Sequence, residues 1–394
     1  MVVVFKEHEK SLKTGKDLRG RFCARPFELM EIHREFFAFA CCPSWVPQNI
    51  GNCETNDLMT VWNSRAARLI RLGVLDGSFR HCDHRACPEI QSGNLPRIED
   101  LPEDHRQIVE EARIVQDTLP RQIALCYDDS CNLSCPSCRA TKRLEYEGEG
   151  YERKIRFTER LMDQVLAQAE HHFISLRVTG SGDPIASKVF RHLLAGIDGR
   201  SLPRLRIILQ TNATMLTPKV WQELAGIHGN VHGISISIDA AREATYAKVR
   251  RLGNWRQLME NIAFVNGLVA DGTVPVLDYN FVVQTENFRE MGDFVSLCRG
   301  FGPPSHINFS LVNDWGSWSR EEYLRQCIWK TDHPEFSDFL AALRDPRLDD
   351  PAVDLGNVTA YRLHALGLDR PAEAQATEPR QGPLARLRRL LPLG

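Results

Sequence analysis

The stretch RQIALCYDDSCNLSCPSCR, residues 121–139, decides how the chain reads. It opens as a short apolar run, Ile123 to Cys126, and passes through Tyr127, Asp128 and Asp129 into a loop. That loop places Cys131, Cys135 and Cys138 at C-x3-C-x2-C spacing. An apolar run of strand length that ends in polar and turn-forming residues is a strand leading into a loop. Three thiols in one short loop cannot complete a closed tetrahedral metal site. In a cluster of four irons, each normally bound by one Cys thiolate, they leave one iron free to take another ligand.

Five further runs follow at regular distance: ISLRVTG (174–180), LRIILQTN (205–212), GISISID (233–239), VLDYNFVVQ (276–284) and HINFSLVND (306–314). Longer amphipathic stretches separate them, which is βα repetition around a parallel sheet. The runs are apolar nearly throughout, as for strands covered on both faces, and six strands suit a partial barrel. Chemistry in such folds gathers at the C-terminal strand ends, where the cysteine loop falls.

C-x3-C-x2-C after the first strand of a βα repeat resembles the radical S-adenosylmethionine (radical SAM) superfamily. The resemblance implies an α/β fold, a partial (β/α)6 barrel. It also implies that Cys131, Cys135 and Cys138 hold a [4Fe-4S] cluster whose fourth iron is chelated by S-adenosylmethionine (SAM). Reductive cleavage of SAM would then give a 5′-deoxyadenosyl radical that abstracts hydrogen from a substrate. Where the family usually has an aromatic residue before the third cysteine, this chain has Ser137.

Other strand ends extend the resemblance. Thr179-Gly180-Ser181-Gly182-Asp183-Pro184 is similar to the family's Gly-Gly-Glu-Pro segment at the SAM amino group, with Asp183 in place of the longer Glu. Asn212 ends the third run. Ser235, Ser237 and Asp239 alternate along the fourth and therefore share one side of the sheet. By resemblance, Ser237 is a SAM ribose or carboxylate contact and Arg250 the arginine that pairs with the SAM carboxylate. Asn280 and Gln284 on the fifth run and Asn313 after the sixth are further candidates for cofactor binding.

A second cysteine group precedes the barrel: Cys23, then Cys41-Cys42-Pro43-Ser44-Trp45, Ile50-Gly51-Asn52, Trp62-Asn63-Ser64, and Cys82-x4-Cys87. Its order looks like the SPASM auxiliary-cluster domain of related radical SAM enzymes, although that domain usually follows the barrel. There are too few cysteines for two clusters. The expectation is a half-SPASM with one auxiliary [4Fe-4S] cluster on Cys23, Cys41 or Cys42, Cys82 and Cys87, the alternative being a structural zinc site with His81 or His84. Cys53, Cys126, Cys298 and Cys327 read as spare or buried thiols, and Trp45 and Trp62 as core fillers.

The chain of 394 residues is 43% hydrophobic and 25% charged, with 49 Lys plus Arg against 51 Asp plus Glu. A single small binding module is thereby excluded, and no overall basic field exists to hold nucleic acid. No apolar run reaches the roughly 18 residues of a membrane span, and the first residues lack a signal peptide's apolar core and cleavage site. These features predict a cytoplasmic enzyme, with its 12 cysteines serving as metal ligands rather than disulfides.

The expected organisation is an auxiliary-cluster domain at 1–95, a linker helix at 96–120, a barrel at 121–345 and a flexible tail at 346–394. In the linker, Ile108, Ala112, Val115 and Leu119 stand at helical spacing. By resemblance, the enzyme acts on a peptide, or on a carbohydrate or other small metabolite. It also needs an external electron donor of flavodoxin or ferredoxin type. The competing class is a two-centre iron–sulfur protein that transfers electrons or senses redox state without SAM chemistry.

Overall fold

The computed structural model describes residues 16–179 and 181–368. Residues 16–31 and 36–120 form one compact unit, and residues 32–35 and 121–368 form another.

The larger unit is built on a parallel sheet whose strands are β1 (Gln122–Leu125), β2 (Ile174–Val178), β3 (Leu205–Thr211), β4 (Val231–Ser237), β5 (Val276–Val283), β6 (His306–Leu311) and β7 (Val353–Asp354). Each strand pairs in parallel with the next in sequence through β6, and β7 adds to the far edge beside β6. Right-handed crossovers between successive neighbours put every connecting helix on the same face. Those helices are α1 (Glu149–Ala169), α2 (Lys188–Gly196), α3 (Pro218–Glu223), α4 (Glu243–Val249), α5 (Trp255–Ala270) and α6 (Met291–Phe301).

Burial follows this one-sided winding. Along β3 and β5 buried and half-buried residues strictly alternate, so the expectation of strands covered on both faces is corrected for these two, whereas β4 is buried on both faces from Gly233 to Ile236. Tyr279 and Phe281 meet Phe301 and Phe294 of α6 at 5.8 and 4.8 Å between ring centroids. The opposite face carries Ser235, Asn280 and Asn308, joined across three strands: Asn280 Nδ2 donates to Ser235 Oγ at 2.7 Å and Asn308 Nδ2 to Asn280 Oδ1 at 3.2 Å.

Two boundaries differ from expectation. Beyond residue 345 the chain is folded as far as 368: β7 extends the sheet, and Arg362 on the helix Thr359–Ala365 is buried and donates to the Leu343 and Asp345 carbonyls and to Asp349. The remainder of the expected tail lies outside the described residues. The expected linker helix covers only Glu103–Glu110, because Ala112 turns left-handed at φ 50°. The following segment is held as a loop. Arg71 donates to Ile114 O at 2.9 Å, and Asn63 bonds the backbone of Gln116 both ways at 2.8 Å. Arg71 is fully buried, bonds also to the Pro26 and Trp62 carbonyls at 2.8 Å, and stacks 4.2 Å over Trp62. It is the polar hub of the smaller unit.

Candidate metal and cofactor sites

Three strands of the larger unit end in left-handed residues other than glycine: Thr179 after β2 (φ 73°), Ala213 after β3 (φ 58°) and Asp239 after β4 (φ 60°). Such conformations cost of order 1–3 kcal/mol each and persist where the surroundings fix them, often at functional sites. Here they turn the strand ends toward the loop that follows β1.

That loop is braced from several strand ends. Cys131 N–H donates to Arg143 O at 2.7 Å, Asn132 Nδ2 to Thr214 Oγ1 at 2.7 Å, Ser134 N–H to Arg251 O at 3.1 Å and Ser317 Oγ to Pro136 O at 2.7 Å. At its base Asp128 is fully buried, accepting from Lys154 at 2.7 Å and from Ser187. Burial opposes ionisation of Asp129, but Arg34 and Arg143 outweigh it and hold the carboxyl below the usual carboxylate range.

Each of the three thiols meets an N–H donor. Cys131 Sγ accepts from Leu133 N–H at 3.4 Å and Asn212 Nδ2 at 3.6 Å, Cys138 from Arg139 at 3.2 Å, and Cys135 from Arg250 at 3.8 Å. Donors aimed at sulfur suit thiolates that share negative charge with a cluster. As free thiols they resist ionisation: burial pushes Cys131 up to about 12 and also raises Cys135. Metal loading must therefore release protons. Two buried polar atoms beside this loop have no protein partner, Arg250 Nε and the Tyr246 hydroxyl. The donor set fits a cluster on Cys131, Cys135 and Cys138 with a polar ligand alongside.

The other expected contacts fall as follows. Arg250, half-buried, pairs with the buried Asp239 at 2.7 Å. Burial raises the Asp239 carboxyl, opposed by the Arg250 guanidinium and by the Val282 N–H, which donates at 2.8 Å. Ser237 is half-buried at the last position of β4, Asn280 lies in the Ser235–Asn308 ladder, and Asn313 is half-buried just past β6. Gln284 is buried with Nε2 unpartnered. Gly180 lies outside the described residues. Gly182 could not be another residue: an added Cβ would stand 2.6 Å from the carbonyl oxygens of Asp128 and Ser130.

Asp183 faces inward. Its Oδ1 accepts from the Ile185 and Ala186 N–H groups at 3.0 and 3.1 Å, and its Oδ2 from Thr211 Oγ1 and Asn212 N–H at 2.8 Å. The carboxylate thus fastens the β2 turn to the end of β3. Sequence reasoning missed Arg139, which donates to Cys138 Sγ and to the carbonyls of Asp129 and Ser181. Its one available signal was a cation directly after the third cysteine.

In the smaller unit, Cys23, Cys41, Cys82 and Cys87 line one narrow cleft together with Arg25, Trp45, Val46 and Phe79. Cys42 and Cys53 do not line it, and the Cys42 sulfur is bonded by Ser44. Burial is the main cause that raises the Cys41 and Cys82 thiols, and the nearby Cys23 and Cys87 sulfurs add to it. Neither His81 nor His84 lines the cleft.

Among the described residues, the one group of three Cys, His, Asp or Glu ligand atoms lying within 4.8 Å of one another is Glu28, Asp104 and His105. No three of the cleft thiols meet within that distance, as the ligands of a zinc ion with Zn–S near ~2.3 Å would, and the four thiols form a candidate donor set for a metal centre.

Residues 129–298 match the radical SAM superfamily. A GTP 3′,8-cyclase of Geobacter sulfurreducens is 26% identical over 255 residues, 62% of this chain and 74% of that protein. An AdoMet-dependent heme synthase of Methanosarcina barkeri is 25% identical over 204 residues, 50% of this chain and 53% of that protein. Among solved structures, methylornithine synthase aligns at TM-score 0.36 and 14% identity over 68% of this chain and 80% of its own. No helix among the described residues is long and apolar enough to cross a membrane. With the cysteine loop at the strand ends of a parallel α/β sheet and its sulfurs each bonded by N–H donors, residues 129–298 of this chain form a radical SAM domain.

Proposed function

We propose that this enzyme cleaves SAM reductively at a [4Fe-4S] cluster held by Cys131, Cys135 and Cys138, and abstracts hydrogen from a polar small molecule. The observation that carries the reading is the trio of sulfurs, two buried and that of Cys138 half-buried, each bonded by an N–H donor, with Arg250 Nε and the Tyr246 hydroxyl left open beside them. The cluster and SAM supply one-electron chemistry when bound.

The chain's own residues do the rest. Arg139 ties Cys138 to the β2 turn, Asn212 holds Cys131, and Arg250, fixed by Asp239, offers a cation beside Cys135 for a carboxylate. Backbone at Ser181 and Gly182 offers carbonyl oxygens to an ammonium group. Ser237, Asn280 and Asn313 line the approach from β4, β5 and β6.

The Ser235–Asn280–Asn308 ladder supports a substrate rich in hydrogen-bonding groups, a carbohydrate or related metabolite, over an apolar one. The curated relatives carry names of enzymes that cyclise GTP and that make heme, also small molecules. A modified peptide is the outcome that would redirect this part of the reading.

We also assign Cys23, Cys41, Cys82 and Cys87 to one auxiliary [4Fe-4S] cluster in a half-SPASM domain. The lining of the cleft supports Cys41 over Cys42 as its ligand. An external flavodoxin or ferredoxin would deliver electrons, and the 12 free thiols suit the reducing cytoplasm.

The test is anaerobic reconstitution with iron, sulfide, dithionite and SAM. The reading predicts 5′-deoxyadenosine and methionine, and loss of both in Cys135→Ala. An intact, reducible cluster that never consumes SAM would favour the electron-transfer class instead.

A further inference from the structure

Arg25 is the one charged side chain among the described residues that line the four-cysteine cleft. It follows Cys23 by two positions on the turn Arg25–Glu28, and its guanidinium sits 5.2 Å from the ring centroid of Trp45, another lining residue. Glu89 mirrors it, two positions after Cys87 on the turn Pro88–Ser92, which starts from Cys87 as its N-cap. The two side chains approach at 3.4 Å, Arg25 Nη2 to Glu89 Oε1, and each remains about one third exposed, 38% and 33%. They form a hydrogen-bonded ion pair, longer than the roughly 2.7–2.9 Å of a strong charge-assisted bond, and removing either charge changes the field at the cleft. The remaining lining, Pro26, Val46, Phe79, Ile90 and Leu95, is apolar and screens poorly.

We propose that Arg25 and Glu89 are an opposed pair of positioning charges that set the reduction potential of the metal centre held by Cys23, Cys41, Cys82 and Cys87. Arg25 raises that potential and Glu89 lowers it. The inference rests on the auxiliary-cluster assignment above. Reduction brings one electron from the external donor onto the centre and adds one negative charge, with no bond made or broken and no proton required. A cation at the rim of an apolar cleft stabilises the reduced form, and an anion there the oxidised form, since net charge near a cluster is one determinant of its potential. The same two charges act in opposite senses on the free thiols: Arg25 eases ionisation of Cys41, and Glu89 opposes that of Cys23.

The experiment uses the full chain with Cys131, Cys135 and Cys138 all changed to Ala, so that only the cleft centre remains. After anaerobic reconstitution, iron and sulfide are counted and the midpoint potential is read by EPR-monitored titration. The expected result is a shift to lower potential in Arg25→Gln, a shift to higher potential in Glu89→Gln, and a value close to the parent in Arg25→Lys, which keeps the charge.

If the parent binds no iron and sulfide, the auxiliary-cluster assignment fails and the inference fails with it. If the parent holds about four irons but Arg25→Gln and Glu89→Gln leave the potential unmoved, or move it in the same direction, only the charge-pair inference is overturned. Should Arg25→Gln not retain iron, the sign of the Glu89→Gln shift decides alone.

Discussion

Asp183→Asn separates two roles for a carboxylate that sits in the turn after β2. The structure gives Asp183 four buried donors, two on each oxygen. An amide can accept on one side only, so either the Ile185 and Ala186 N–H groups or the Thr211 and Asn212 donors face an NH2 group. Each donor left buried without an acceptor costs about 1–3 kcal/mol. With partial relaxation the loss should be about 2–4 kcal/mol, a substantial share of the roughly 5–15 kcal/mol that holds a domain.

For a unit of this size that is a fall of roughly 5–10 °C in Tm. Thermal unfolding of the metal-free chain reads the fall directly. Amide hydrogen exchange localises it, with faster exchange at Asn212 or at Ile185 and Ala186. If Asp183→Asn instead keeps its Tm and its exchange pattern while SAM affinity drops tenfold or more, the carboxylate faces the cofactor and the loop-fastening role is refuted.

Further expected outcomes are as specific. Cys41→Ser should remove about four irons per chain from the reconstituted protein, and Cys42→Ser none; equal loss in both would undo the choice between the neighbours. Arg250→Met leaves Asp239 buried without its cation, a loss of about 3–5 kcal/mol. The double variant Arg250→Met with Asp239→Asn should recover part of that loss in chemical unfolding, and additive losses would show that the two do not act as a pair. Arg71→Met strips hydrogen bonds from the Pro26, Trp62 and Ile114 carbonyls. It should destabilise the smaller unit by about 3 kcal/mol or more, seen as protease cleavage within residues 16–120 before the larger unit is cut.

The six parallel strands were legible because β-branched runs of strand length recur between amphipathic stretches, and the cysteine loop because its spacing is local. Period-two burial was visible in part: the less covered face carries Ser175, Arg177, Arg206, Gln210, Asp278 and Asn280, and only Ile208, Val276 and Val282 on it blur the alternation. The seventh strand, Val353–Asp354, is two residues long and carries no pattern of its own. The helix at 103–110 stops because Ala112 adopts a conformation that usually calls for glycine, while the tertiary bonds of Arg71 and Asn63 hold Ile114 and Gln116 in a loop.

Adjacent cysteines gave the most instructive ambiguity. No spacing rule separates Cys41 from Cys42, and only the position of Ser44 and the cleft wall does. The roles of Arg139, Arg25 and Asp183 depend on partners from other segments of the chain, which a one-dimensional reading does not bring together.

The central claim is that the Cys131–Cys138 loop leaves room at its metal centre for SAM. A variant with Cys23, Cys41, Cys82 and Cys87 all changed to Ala isolates that centre. Its reduced EPR spectrum, recorded without and with SAM, should shift on addition of SAM, and Cys138→Ala in the same background should abolish the signal. A well-formed signal that is identical with and without saturating SAM would contradict the account.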